Sequence, residues 1–145
     1  MTEFTSEIKQ LPYSEETIFE ALSNLNNLEK VKDQIPQDKV QNFSFDRDSC
    51  TFNVSPVGDV RFSIVEREPN KTIKFQADQL PVEVYLWIQL KEVDAQDTRM
   101  KLTVKANLNP FLKPMLSGPL QKGLDKVADV LAAVPYETLG EEYKA

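Results

Sequence analysis

The chain has 145 residues, 41% hydrophobic and 28% charged, the balance of one globular domain rather than of a disordered chain. Lysine and arginine number 17 against 23 aspartate and glutamate, a formal charge of −6, which argues against holding nucleic acid by neutralising its phosphates. One cysteine, Cys50, excludes an internal disulfide and a cysteine-rich metal site, and the lack of histidine removes the commonest metal ligand and the usual near-neutral base.

The opening residues, Met1 to Glu7, lack the basic and apolar regions of a secretory signal. The longest apolar runs, Val84–Ile88 and Val130–Val134, fall far short of the roughly 20 residues that span a bilayer. No membrane insertion and a reducing cytoplasm are therefore expected. Residues 3–11 predict a first strand, with Phe4 and Ile8 on one face and Glu7 and Lys9 on the other. Pro12 ends it, and Ser14 caps a helix whose first turn carries Glu15 and Glu16, where acids suit the helix dipole. Ile18, Phe19, Leu22 and Leu25 recur at helical spacing. A second short helix is read through Leu28, Val31 and Ile35, stopped by Pro36.

Strand alternation follows. Phe43 and Phe45 lead, then Cys50, Phe52 and Val54, and a turn at Ser55-Pro56-Val57-Gly58. Val60, Phe62 and Ile64 alternate with Arg61 and Ser63, and Pro69-Asn70 makes the next turn. Ile73, Phe75 and Ala77 come next, then Val84, Leu86, Ile88 and Leu90, and finally Met100, Leu102, Val104, Ala106 and Leu108. Short connections make these consecutive hairpins, an antiparallel meander of about six strands with one apolar face. The chain closes on a long helix capped by Asn109, with Pro110 in its first turn and Leu112, Leu116, Leu120, Leu124, Val127, Leu131 and Val134 at spacings of three and four. Gly118-Pro119 is expected to kink or interrupt it, because Pro119 has no N–H to donate. Pro135 stops it, leaving a single domain over 1–135 and a polar tail over 136–145.

This order predicts an α+β fold, a curved antiparallel sheet gripping a long C-terminal helix. In its element order, in the stretch Leu22-Ser23-Asn24-Leu25-Asn26-Asn27-Leu28 and in the closing helix, the chain resembles the helix-grip superfamily of START, Bet v 1 and polyketide-cyclase-like proteins (SRPBCC) over about residues 2–135. The resemblance implies an apolar cavity between sheet and helix that takes lipids, sterols, polyketides or other hydrophobic ligands, with some members catalysing cyclisation or dehydration.

The residues are compatible with that. Phe43, Phe45, Phe52, Phe62 and Phe75 share the inward parity with Leu86, Ile88, Met100 and Leu102, and Met115 and Leu116 would look down from the helix. Periodicity alone does not separate a lined hollow from a packed core. Arg47 follows Phe43 and Phe45 in parity and suits a ligand carboxylate at the mouth, or a solvated strand end. Glu66 and Glu92 also keep inward parity, but near strand ends, as rim carboxylates. Cys50 reads as a buried structural thiol. With no phosphate loop, nucleophile elbow, cofactor motif or metal-ligand set, catalytic residues are not assigned, and no cofactor is expected. On the outer face Tyr85 and Trp87 lie among Lys74, Arg99, Lys101 and Lys105, either as cross-strand cation–π contacts or as the interface of a homodimer or a partner. The leading expectation is non-catalytic binding of a small hydrophobic ligand. The alternatives are a cochaperone-like interaction module around Tyr85 and Trp87, and a cyclase- or dehydratase-like enzyme.

Overall fold

The computed structural model of the chain describes residues 1–27, 44–54, 58–78, 82–134 and 136. In chain order the elements are β1 (Thr2–Thr5), β2 (Lys9–Leu11), α1 (Glu15–Leu22), β3 (Ser44–Phe45), β4 (Ser49–Val54), β5 (Gly58–Glu68), β6 (Thr72–Asp78), β7 (Val84–Asp94), β8 (Asp97–Ala106) and α2 (Leu112–Ala132). The strands make one antiparallel sheet in the order β1-β8-β7-β6-β5-β4-β3, with β2 also paired to β8. The hairpin meander β3 to β8 is thus extended by the first strands, which return to the far edge of the last one. This is the α+β architecture read from the sequence. The second short helix, the turn at Ser55-Pro56-Val57 and the tail beyond Tyr136 lie outside the described residues.

Local chemistry explains the boundaries. Ser14 Oγ accepts the N–H of Thr17 at 3.2 Å, capping α1 as its position before Glu15-Glu16 requires. Asn109 Oδ1 accepts the N–H groups of Phe111 and Leu112, both at 2.9 Å, and satisfies two donors that the start of α2 leaves open. Between β5 and β6 the Lys71 N–H closes on the Glu68 carbonyl at 3.0 Å, with Pro69 second in the turn and Asn70 third at a φ of 65°. A type II turn demands that combination.

The structure corrects the strand reading in two places, both β-bulges. Thr5 pairs with Thr103 but Lys9 pairs with Met100, so one extra residue sits between β1 and β2. Ser6 holds this point by donating its N–H to the Leu102 carbonyl and accepting the Leu102 N–H on its hydroxyl, both at 2.9 Å. The extra residue swaps the faces: Phe4 is buried, Ile8 is 65% exposed, and Lys9 turns to the inner face opposite Met100. The second bulge falls at Val65, between the pairs Ile64–Phe75 and Glu66–Lys74. It moves Glu66 to the outer face and puts Arg67 opposite Ile73 on the inner one.

The helix departs from expectation too. Gly118-Pro119 does not interrupt α2, which runs unbroken from Leu112 to Ala132 with Pro119 inside it. The helix lies on the concave face and packs against β1, β2, β8 and β4. Leu124, Ala128 and Leu131 are its sealed contacts. Gln121 Nε2 donates to the Thr5 carbonyl at 3.0 Å, and Lys9 Nζ meets Asp129 Oδ1 at 2.6 Å, an interaction that holds the Lys9 pKa above its usual value. Beyond the helix Tyr136 is buried, donates to the Leu131 carbonyl at 2.6 Å and meets Tyr13 edge-on at 5.6 Å. Burial raises its phenol pKa.

Candidate functional site

The register sets the inward side chains in rows across the sheet. One row runs Phe45, Cys50, Phe62, Ala77 over β3 to β6. The next runs Ile64, Phe75, Leu86, Val104, Phe4 over β5 to β8 and on to β1. A third runs Arg67, Ile73, Ile88, Leu102, and a fourth Leu90, Met100, Lys9. Phe75, Leu86, Ile88, Met100 and Leu102 are buried in the middle of these rows.

Burial is uneven. Towards β3 and β5, the inward residues Phe45, Phe62, Ile64 and Ala77 pack against the core and yet stay only half-buried. The helix has the same gradient. Leu120, four residues before Leu124, packs against the core but is only half-buried, and Leu116 a further turn back is half-buried too. Met115, expected to look inward, is 61% exposed, and Phe111 is 89% exposed. Met115 leaves the stripe because it lies one position, about 100° of helical rotation, from Leu116. The candidate site is this incompletely sealed end, between the Phe45–Ala77 row and the first half of α2.

Phe43 lies outside the described residues. Phe52 takes the strand position opposite Val60, beside the row of Cys50 and Phe62. The polar groups around the site are few. Cys50 is buried, and desolvation, with the Asp46 charge as a smaller cause, pushes its thiol up to about 12. Ser49 Oγ donates to Asp46 at 2.7 Å and, as the largest cause, holds that carboxyl below its usual range. Arg47 is exposed in the β3–β4 turn, its carbonyl accepting the Leu25 N–H at 3.0 Å. Arg67, which the sequence reading missed, spans the gap from β5 to α1. Its Nε and Nη2 reach the Ser23 carbonyl at 3.0 and 2.8 Å, and Nη2 reaches Asp48 at 2.6 Å. Strict alternation hides it, because only the bulge at Val65 brings it inward. Glu92 accepts the Glu15 N–H at 3.2 Å, while Glu15 takes the Glu92 N–H and the Lys71 ammonium. Among the described residues no three Asp, Glu, Cys or His side chains converge as metal ligands.

The outer face carries the other predicted pair. Lys74, Trp87 and Thr103 stand side by side across the sheet, as do Gln76, Tyr85 and Lys105. Lys74 Nζ lies 4.8 Å from the Tyr85 ring centre and 5.3 Å from that of Trp87, and Lys105 Nζ lies 5.5 Å from Trp87. These are the cross-strand cation–π contacts expected of that face. Both rings stay half-buried.

No family model and no curated protein sequence matches the chain. Solved structures do. A START superfamily protein from Mycobacterium smegmatis superposes with a TM-score of 0.67 at 12% identity, covering 94% of this chain and 98% of that one. A norcoclaurine synthase point mutant from Thalictrum flavum, in complex with a transition-state analogue, gives 0.63 at 15% identity over 100% and 99%. The Aha1 dimer from Colwellia psychrerythraea gives 0.58 at 18% identity over 94% and 99%. At these identities the likeness shows the fold, and the fold is helix-grip. No helix among the described residues is long and apolar enough to cross a membrane.

Proposed function

We propose that this helix-grip domain binds a small hydrophobic ligand, lipid-like, polyketide-like or aromatic, between its sheet and its C-terminal helix, without catalysis of its own and in the cytoplasm. The carrying observation is the burial gradient. Apolar side chains on facing elements, Phe45, Phe62 and Ile64 on the sheet and Leu120 on the helix, pack against the core and are not sealed, and Leu116 one turn before Leu120 is half-buried as well. Apolar surface left half-covered on a concave face is stabilised when a ligand removes it from water, at roughly 25 cal/mol per Å². Phe43, Phe52, Phe75, Leu86, Ile88, Met100 and Leu102 are proposed as its walls, and Met115 as an edge. Arg47 is proposed as the contact for a ligand carboxylate. The likeness to a START superfamily protein and to a norcoclaurine synthase holding a transition-state analogue supports the reading. Binding is favoured over catalysis because the two inward carboxylates of the strand pattern do not line the site: Glu66 is on the outer face and Glu92 is engaged at the start of α1.

The test is the native mass of freshly purified protein against its denatured mass. A discrete excess lost on denaturation is expected, and Phe62→Asp, which sets a charge into the half-buried row, should lose it while keeping the native circular dichroism. A bare wild-type mass, with no uptake of a fatty acid or of a naphthalene dye, would sink the proposal.

A second reading concerns the outer face. Among the described residues both helices pack on the other side of the sheet, and Tyr85 and Trp87 keep part of their rings in water. We propose this face as a self-association surface, with the dimer named for the Colwellia protein as support.

A further inference from the structure

The two halves of α2 are held differently. All of its buried residues, Leu124, Ala128, Val130 and Leu131, lie beyond Pro119. So do the Gln121–Thr5 hydrogen bond and the Lys9–Asp129 ion pair that fasten it to β1 and β2. Before Pro119 the side chains of Leu112, Leu116 and Ser117 are half-buried, and Lys113, Pro114, Met115 and Gly118 are exposed. The joint between the halves is weak for three reasons. Pro119 lacks the N–H that would bond the Met115 carbonyl, and its ring crowds that carbonyl. Gly118 has no side chain to brace the turn, and a Cβ there would meet nothing within 4 Å. The hydroxyl of Ser117 bonds the Lys113 carbonyl, a back-bond that bends helices.

We infer that Leu112–Ser117 moves as a lid on the Gly118–Pro119 joint, opening and closing the apolar end of the site while residues 121–132 stay fixed to the sheet. The gating rests on the ligand-binding reading; the motion does not. Helix ends fray in any protein, so the telling amides are those of Leu116, Ser117 and Gly118, which in an α-helix donate four residues back. Hydrogen exchange should find them at least about tenfold faster than the amides of Leu124, Ala128 and Leu131. Pro119→Ala restores the missing donor and should slow the first set about tenfold, leaving the second unchanged. Gly118→Ala, which the open space admits, should act in the same direction. With 8-anilinonaphthalene-1-sulfonate as probe, Pro119→Ala should slow association and release by a similar factor and leave Kd within about twofold.

Equal protection across the helix in the wild type, or exchange at Leu116–Gly118 that ignores both substitutions, overturns the lid. Unchanged probe kinetics despite slowed exchange overturns the gating. If the probe does not bind and the exchange pattern holds, the ligand reading falls and the moving joint stands.

Discussion

Cys50 carries a consequence at the scale of single residues. Its thiol is pushed up to about 12 by burial, against an ordinary 9.0. The unfolded chain therefore gives up this proton first, and stability falls as pH climbs from 9 towards the folded value. Lys9 acts in the same alkaline window. Its raised pKa keeps its contribution complete below 10.5, and that contribution is lost as pH rises through the folded value. Because both Lys9 and Asp129 are partly exposed, the pair contributes no more than about 1 kcal/mol. The urea midpoint at pH 10 should thus lie below that at pH 8, with a smaller gap in Cys50→Ala. Native Cys50 should react with a thiol reagent at pH 8 only as fast as the protein opens, and prompt labelling would contradict its burial. The sequence already pointed to a buried thiol, from its parity on an apolar strand. It could not show that the turn between β3 and β4 brings the Asp46 charge close enough to act on it.

At the scale of elements, the turns and caps were legible because they depend on neighbours in the chain. Ser14, Asn109 and Pro69-Asn70 each do what their side chains dictate locally. Asn70 gives a direct check, since its φ of 65° is comfortable for Gly or Asn and strained for a β-branched residue. Asn70→Gly should leave stability within about 0.5 kcal/mol, and Asn70→Val should cost about 1–2 kcal/mol in urea denaturation. A neutral valine would mean that the turn is not held in this conformation. The bulges were not legible. An inserted residue leaves alternation on both sides intact, and only pairing with β8 and β6 reveals that Ile8 faces out and that Glu66 and Arg67 exchange faces. The unbroken passage of α2 through Pro119 has a similar origin, since contacts with the sheet beyond it hold the helix against a local penalty.

At the scale of the molecule, the sheet has two faces and the helices among the described residues cover one. The self-association reading makes a definite demand on the other. Wild-type protein should show a dimer in native mass spectrometry, and Trp87→Ala should convert it to monomer. A monomeric wild type, or a dimer indifferent to the substitution, would leave Tyr85 and Trp87 as an internal cation–π cluster under Lys74 and Lys105.

Alternation and helical spacing are local properties, and they were enough to fix the element order and the apolar face, while the helix-grip architecture entered as a resemblance that the solved structures bear out. Degree of burial is not local. The same parity that placed Phe62, Phe75 and Met115 together inward gave no means of ranking them, yet Phe75 is 2% exposed, Phe62 is half-buried and Met115 is 61% exposed. That ranking depends on where α2 crosses the sheet, on the bulges that shift the strand register, and on which half of the helix the sheet grips. These are long-range contacts, which no window of the chain contains, and they decide which inward side chains are sealed and which stay half-buried.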